Sequence, residues 1–262
     1  MKSILVATDL SAGSERALRR AVVLAVQTGA RATCLHVLDD KLAAAAAEDR
    51  RHEAEAAILK QLEGAHDVAV AVRVVSGNRF DAILAAAREE SADLVVIGPH
   101  RSVTELDLFR GSTAERVLTK GALPVLLVKQ PVTAHYRRVV VAVDFSTSSR
   151  NAVAFAVENF SKAEFTLVHA YAPPPGRRGS MADRLEQQFS ELLAGLEALP
   201  PLQKVTDEGP PVPTLMKAIE RLSPDLVVVG THGRTGTGPQ QIGTVAERIL
   251  SQSPVDVLAV RG

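Results

Sequence analysis

The residues best placed to do chemistry lie in one stretch, Val227 to Glu247, written VVVGTHGRTGTGPQQIGTVAE. The β-branched run Leu226 to Val229 predicts a short strand buried on both faces of a parallel sheet. Its exit therefore leaves the sheet at the carboxyl edge, where open α/β folds bind ligands. Gly230, Gly233, Gly236, Gly238 and Gly243 predict a loop that takes positive φ and lets the backbone come close to a ligand. Thr244, followed three residues later by Glu247, predicts a capping box, with the amides of Thr244 to Ala246 turned back toward the loop. A helix end of this kind attracts anions. The stretch thus predicts a cradle for a nucleotide phosphate. Thr244 can cap its helix and still offer its hydroxyl hydrogen to a phosphate. Arg234 is a candidate phosphate partner, against the competing reading of a solvated loop arginine.

A second group of reactive types lies earlier in the chain. Asp9, Cys34, His36 and His100 fall at or near the carboxyl ends of strands expected to be neighbours, and Cys34 and His36 share one face of theirs. Carboxylate, thiolate and imidazole groups are the ligands of a zinc site. The competing reading makes Cys34 a small buried apolar residue and His36 a hydrogen-bonded core histidine, since no C-x-x-C or H-x-x-x-H spacing is present.

The elements that must position these residues alternate along the chain. Strands are predicted at Lys2 to Thr8, Arg31 to Leu38, Val68 to Val75, Asp93 to Ile97 and Val125 to Val128. Helices are predicted at Ser14 to Thr28, Lys41 to Leu62, Arg79 to Glu90 and from Thr113. After the linker Lys129 to His135 the same order returns. Strands at Arg138 to Val143, Glu164 to Ala170, Lys204 to Asp207, Leu226 to Val229 and Asp256 to Val260 alternate with helices at Ser148 to Phe160, Met181 to Leu199, Thr214 to Arg221 and from Thr244. The halves match in sequence at corresponding points. ILVATDLSAGSERAL aligns with VVVAVDFSTSSRNAV, DLVVIGPH with DLVVVGTH, and GSTAERVLTKGALPVLLV with GTVAERILSQSPVDVLAV. This predicts a tandem repeat of one α/β unit, residues 1–130 and 136–262. Each unit is expected to be a five-stranded parallel doubly wound sheet.

Thirty basic residues balance thirty acidic ones without a long run of one sign, which gives no electrostatic case for nucleic acid or an anionic membrane. One cysteine excludes an intrachain disulfide framework and suits a reducing compartment. The start of the chain shows no signal-peptide pattern, and no apolar run is long enough for a membrane span, so a cytoplasmic location is expected.

Taken together, a strand ending in Asp with Ser two residues later, a second strand ending in His-Val or His-Ala, and G-x-x-G-x9-G-[S/T] resemble the universal stress protein family. The resemblance covers nearly the whole chain, twice. It implies a flavodoxin-like or adenine nucleotide alpha hydrolase-like fold, a role in stress response or regulation, and ATP binding, with Mg, where the glycine motif is intact. It places Asp144 and the backbone near Ala170 against adenine and ribose, and gives Gly230, Gly233, Gly243 and Thr244 the phosphates, with Val245 beside them. It also implies edge strands that pair across a dimer, hence an intrachain pseudo-dimer; a homodimer of chains stays open. Asp144, beside the motif strand at the switch point, independently suits a ribose hydroxyl or an adenine amine, against the competing reading of a helix N-cap.

The first half departs from the motif. Gly98, Gly111 and Ser112 stand where expected, but Arg101 replaces the second glycine. Left-handed φ at Arg101 would cost about 1 kcal/mol, and its side chain would fill phosphate space. The first unit is therefore expected not to hold ATP in the same manner, unless Arg101 itself grips a phosphate. No Walker lysine, arginine finger or general base is evident, so no catalytic residue is named, and slow ATP hydrolysis is the enzyme alternative. A nucleotide-independent scaffold or zinc sensor is the other.

Overall fold

The computed structural model describes residues 1–39, 44–65, 68–99, 112–121, 123–172, 181–196, 199–233 and 241–261. The chain divides into two compact units, Met1–His135 and Tyr136–Gly262. In the first, β1 (Ser3–Thr8), α1 (Ala12–Thr28), β2 (Arg31–Leu38), α2 (Ala44–Gln61), β3 (Val70–Ser76), α3 (Arg79–Glu89), β4 (Leu94–Ile97), α4 (Thr113–Lys120) and β5 (Val125–Leu127) alternate. In the second, β6 (Arg138–Ala142), α5 (Thr147–Asn159), β7 (Glu164–Tyr171), α6 (Met181–Leu193), β8 (Leu202–Glu208), α7 (Pro211–Leu222), β9 (Leu226–Gly230), α8 (Thr244–Gln252) and β10 (Asp256–Val260) repeat the order.

Pairing is parallel throughout each unit. The first sheet runs β3-β2-β1-β4-β5 and the second β8-β7-β6-β9-β10. The chain therefore reverses its direction of travel across the sheet between the first and fourth strands of each unit. The carboxyl ends of those two strands flank the crevice where such folds take ligands. The registers Val139↔Leu226 to Ala142↔Val229 bring the ends of β6 and β9 level with each other.

These strands form because their side chains are covered on both faces. Ile4, Leu5, Val6, Val140, Val141, Val227 and Val228 are all buried, as are Leu18, Leu24, Val153 and Phe160 of the covering helices and their edges. Burial of apolar surface at about 25 cal/mol per Å² makes this two-sided arrangement the main source of stability.

Several boundaries differ from the sequence reading. Helix α6 ends at Leu193 rather than Leu199, where Gly195 takes φ +75° and turns the chain. Strand β8 runs from Leu202 to Glu208, longer than expected, because each residue from Leu202 to Glu208 pairs with β7. Helix α7 begins at Pro211, whose missing N–H is harmless in a first turn.

The strand-to-helix turn after the first strand of each unit is built alike. Leu10 and Phe145 take φ of 63° and 62°, a left-handed conformation that costs a non-glycine residue about 1 kcal/mol or more. Asp9 Oδ1 accepts from Ser11 N at 3.0 Å, and Asp144 Oδ1 accepts from Ser146 N at 3.0 Å. Ser11 and Ser146 are then the N-caps of α1 and α5. The helix-cap alternative for Asp144 is therefore overturned: the serine two residues later holds that place. His36 Nδ1 lies 2.9 Å from the Thr8 carbonyl, and His169 Nδ1 lies 2.7 Å from that of Val143. Repetition thus extends to single hydrogen bonds.

Candidate functional site

In the second unit a cavity of about 300 Å³ opens at the switch point between β6 and β9. Asp144, Ala170, Gly230, Gly233, Gly243, Thr244 and Val245 all line it. Arg234, and with it Gly236 and Gly238, lies outside the described residues. The sequence reading missed Ser149, His232, Pro211 and Leu215, which line the same cavity. Pro211 and Leu215 are one turn apart on α7 and give an apolar side, a spacing that only becomes meaningful once α7 is known to flank the crevice.

The glycines are needed for a different reason from the one expected. None of Gly230, Gly233 and Gly243 takes positive φ. At Gly230 a Cβ would come within 2.7 Å of the Ser148 carbonyl carbon and 2.8 Å of Ser149 N, so β9 can pass the start of α5 only without a side chain. Gly98 repeats this against the backbone of Gly13 and Ser14 at the start of α1. At Gly233 a Cβ would meet Asp144 Oδ2 at 3.1 Å. The bare backbone there leaves room beside the carboxylate. Gly233, the counterpart of Arg101 in the repeat, is not left-handed, so the expected backbone strain has no basis at that position, and only the space a side chain needs counts against an arginine there. Arg101 itself lies outside the described residues.

The expected capping box is also not formed. The N-cap of α8 is Gly243, which has no side chain to cap this end, and Thr244 is the first helical residue. Gly243 is fixed there by its N–H, which donates to the Thr231 carbonyl at 2.8 Å, while its own carbonyl accepts from Glu247 N at 3.0 Å. The amides of Thr244, Val245 and Ala246 precede that first intrahelical bond and receive no hydrogen bond from the side chain of the cap residue, which is a glycine. Such an end carries a partial positive charge of about half a unit.

The first unit does the opposite. Helix α4 starts one residue later in the repeat: Ser112, the counterpart of Thr244, is its N-cap, and its Oγ accepts from Glu115 N at 3.1 Å. A cavity of about 190 Å³ lies at the same place and is lined by Asp9, Val37, Gly98, Pro99, Ser112 and Thr113 among others. Val37 stands where the second unit has Ala170, and Arg79 where it has Pro211. The two cavities share their carboxylate and differ at the helix end.

The zinc set is not assembled among the described residues, where no three His, Cys, Asp or Glu side chains gather as a metal site. Cys34 sits mid-strand, fully buried, paired in register between Val6 and Val72. Burial pushes its thiol up to about 12, so it is no thiolate at neutral pH. His36 engages the Thr8 carbonyl. Burial is the largest influence on the Asp9 carboxyl and pushes it up, but hydrogen bonds from Ser11 and Ser14 outweigh it and leave the group below 3.8. His100 lies outside the described residues.

A family model for the universal stress protein family matches residues 1–129 and 135–261. A universal stress protein of Mycolicibacterium smegmatis is 27% identical over 288 residues, spanning 98% of this chain and 96% of its own. The solved structure of a universal stress protein from Archaeoglobus fulgidus superposes with a TM-score of 0.76 at 20% identity, covering 99% of this chain and 98% of that one. A universal stress protein solved in complex with cAMP is 27% identical over 48% of this chain, with a TM-score of 0.39. Among the described residues no helix is long and apolar enough to cross a membrane.

Proposed function

Since the chain belongs to the universal stress protein family, we propose that it is a nucleotide-binding member of that family, holding ATP with Mg in its second unit and acting in stress response or regulation. One observation carries this reading. The N-cap of helix α8 is a glycine, which has no side chain of its own to cap the first turn, on the wall of a cavity that also takes in Asp144 and Gly233. An uncapped helix start with a close backbone approach is the arrangement that suits a phosphate group. Asp144, whose carboxylate lies beside Gly233 in the same cavity, suits a ribose hydroxyl. Thr244 offers its hydroxyl, and Ala170 and Val245 offer small or apolar contacts. Arg234 is assigned to the phosphates from its place in the loop alone.

The first unit is assigned no ATP in this mode. Its corresponding helix end is already served by the Ser112 hydroxyl, and its motif carries Arg101 where the second has Gly233. The protein is read as a binding protein, with no residue assigned to catalysis.

The test is calorimetric titration of purified protein with ATP and Mg. One ATP per chain is expected, with Gly233→Val removing it and Arg101→Gly opening a second, weaker site. ATP that binds the folded form must also raise apparent stability, by about 2.7 kcal/mol at a hundred times Kd. No heat and no thermal shift would leave a nucleotide-independent scaffold as the function. Retention of full affinity in Gly233→Val would move the site elsewhere.

A further inference from the structure

Phe145 follows Asp144 at the turn out of β6, and its backbone is left-handed, with φ 62°. A residue with a Cβ meets a steric penalty there, because that atom crowds the carbonyl oxygen that follows. Such a conformation persists only where the surroundings impose it. The first repeat takes the same conformation at Leu10 and shows one way of imposing it. Thr8 Oγ1 accepts from Leu10 N at 3.0 Å and donates to Ser14 Oγ at 2.9 Å. The second repeat has Val143 in place of Thr8 and so lacks that hydroxyl.

It has a ring instead. Phe145 packs on His169 with ring centroids 4.4 Å apart and planes at 47°, and against Phe189 of α6 edge to face, at 5.1 Å and 83°. Both partners are held. His169 Nδ1 lies 2.7 Å from the Val143 carbonyl, and Phe189 is buried. Aromatic rings in such arrangements attract beyond the area they cover, which a leucine cannot reproduce. The two repeats therefore reach one backbone shape by different means, a hydroxyl in the first and a ring in the second.

That shape governs the neighbouring carboxylate. With Phe145 left-handed, Ser146 N turns back to Asp144 Oδ1 at 3.0 Å. The other oxygen, Oδ2, then lies beside Gly233 on the cavity wall, 3.1 Å from where a Cβ of that residue would stand. We propose that Phe145 is a positioning residue: its ring, anchored on His169 and Phe189, keeps the turn left-handed and so aims Asp144 into the second-unit cavity. The inference rests on the nucleotide reading above and adds a side chain that controls the site without lining it.

The experiment measures the ATP Kd by calorimetric titration, and the ligand-free melting temperature, in wild type, Phe145→Ala, Phe145→Gly and the double variant Val143→Thr with Phe145→Ala. Alanine keeps the steric penalty and loses the ring, so the turn is left-handed for only part of the time, and Kd should rise about tenfold as that population falls. Glycine loses the same ring but takes positive φ about as readily as negative, so its Kd should stay within about threefold of wild type. A role in packing alone would move both affinities alike. Adding Val143→Thr to Phe145→Ala supplies the hydroxyl that the first repeat uses, with Ser149 standing where that repeat has Ser14, and should recover most of the lost affinity. If Phe145→Ala does not fold, Phe145→Leu takes its place with the same outcomes. A Kd for Phe145→Ala within about threefold of wild type overturns the proposal, as does an equal loss in Phe145→Gly. Melting of Phe145→Ala at the wild-type temperature overturns it too, since the ring then anchors nothing. In each case the nucleotide reading survives, because wild type still binds. Failure of wild type to bind ATP at all overturns both.

Discussion

Two glycines three residues apart should respond in opposite ways to the same added methyl group. In Gly230→Ala the new Cβ would lie 2.7 Å from the Ser148 carbonyl carbon and 2.8 Å from Ser149 N. Both are backbone atoms at the start of α5, so β9 or α5 must move. Overpacking of this kind costs about 1–3 kcal/mol, which lowers the melting temperature of a unit this size by on the order of 3–10 °C. In Gly233→Ala the only close neighbour among the described residues would be Asp144 Oδ2 at 3.1 Å, the far end of a side chain that can turn aside. Its backbone is not left-handed, so no conformational strain is added, and the reduced freedom of the unfolded chain contributes about 0.4–1 kcal/mol in its favour. The ligand-free protein should therefore melt within about 2 °C of wild type. Both the methyl and the displaced carboxylate then occupy the cavity, and ATP affinity should fall at least about tenfold, or 1.4 kcal/mol. Differential scanning calorimetry without ligand, followed by titration with ATP and Mg, reads both quantities. The reasoning is refuted if Gly233→Ala melts as low as Gly230→Ala, or if Gly233→Ala keeps wild-type affinity.

Three further outcomes follow from particular contacts. Gly243→Ser places a capping hydroxyl where α8 has none, with its Cβ 3.3 Å from the Thr231 carbonyl oxygen; the ligand-free melting temperature should change little, while ATP affinity drops about tenfold because the hydroxyl competes for the same amides. Tyr136→Phe removes a 2.6 Å hydrogen bond to Asp256, a carboxylate with no exposure, and should cost about 1.5–3 kcal/mol in chemical denaturation of the second unit. Cys34, with its thiol pushed from 9.0 to about 12 by burial, should resist a thiol reagent at pH 8 in native protein and react at once in denaturant. The same shift has a sign: the unfolded thiol ionises first, so this contribution to stability is intact below about 9 and is lost as pH rises from there toward 12. Stability in Cys34→Ala should show a smaller decline over that window.

Much of the fold was legible because it depends on local patterns. Continuous β-branched runs such as Leu226 to Val229 bury on both faces whatever their neighbours, and helical spacing in α1 and α5 declares one covered side. Two matching halves then fixed the order of elements without any knowledge of contacts. Element ends were less legible: α6 stops at Leu193, because Gly195 turns the chain and not because the apolar pattern fails.

The sequence by itself determined the tandem repeat, the alternation of strands and helices, and the positions Asp144, Gly230, Gly233 and Gly243, since those are recorded in residue types at fixed spacing. Only the tertiary structure decided what each glycine is for. Gly230 is small because α5 crosses it, and Gly243 caps α8 because Thr231, a residue of another segment, holds its N–H. Helix α8 starts one residue earlier in the repeat than α4, whose N-cap is Ser112. A capping signature is local, but which residue becomes the cap depends on what the rest of the chain binds to it.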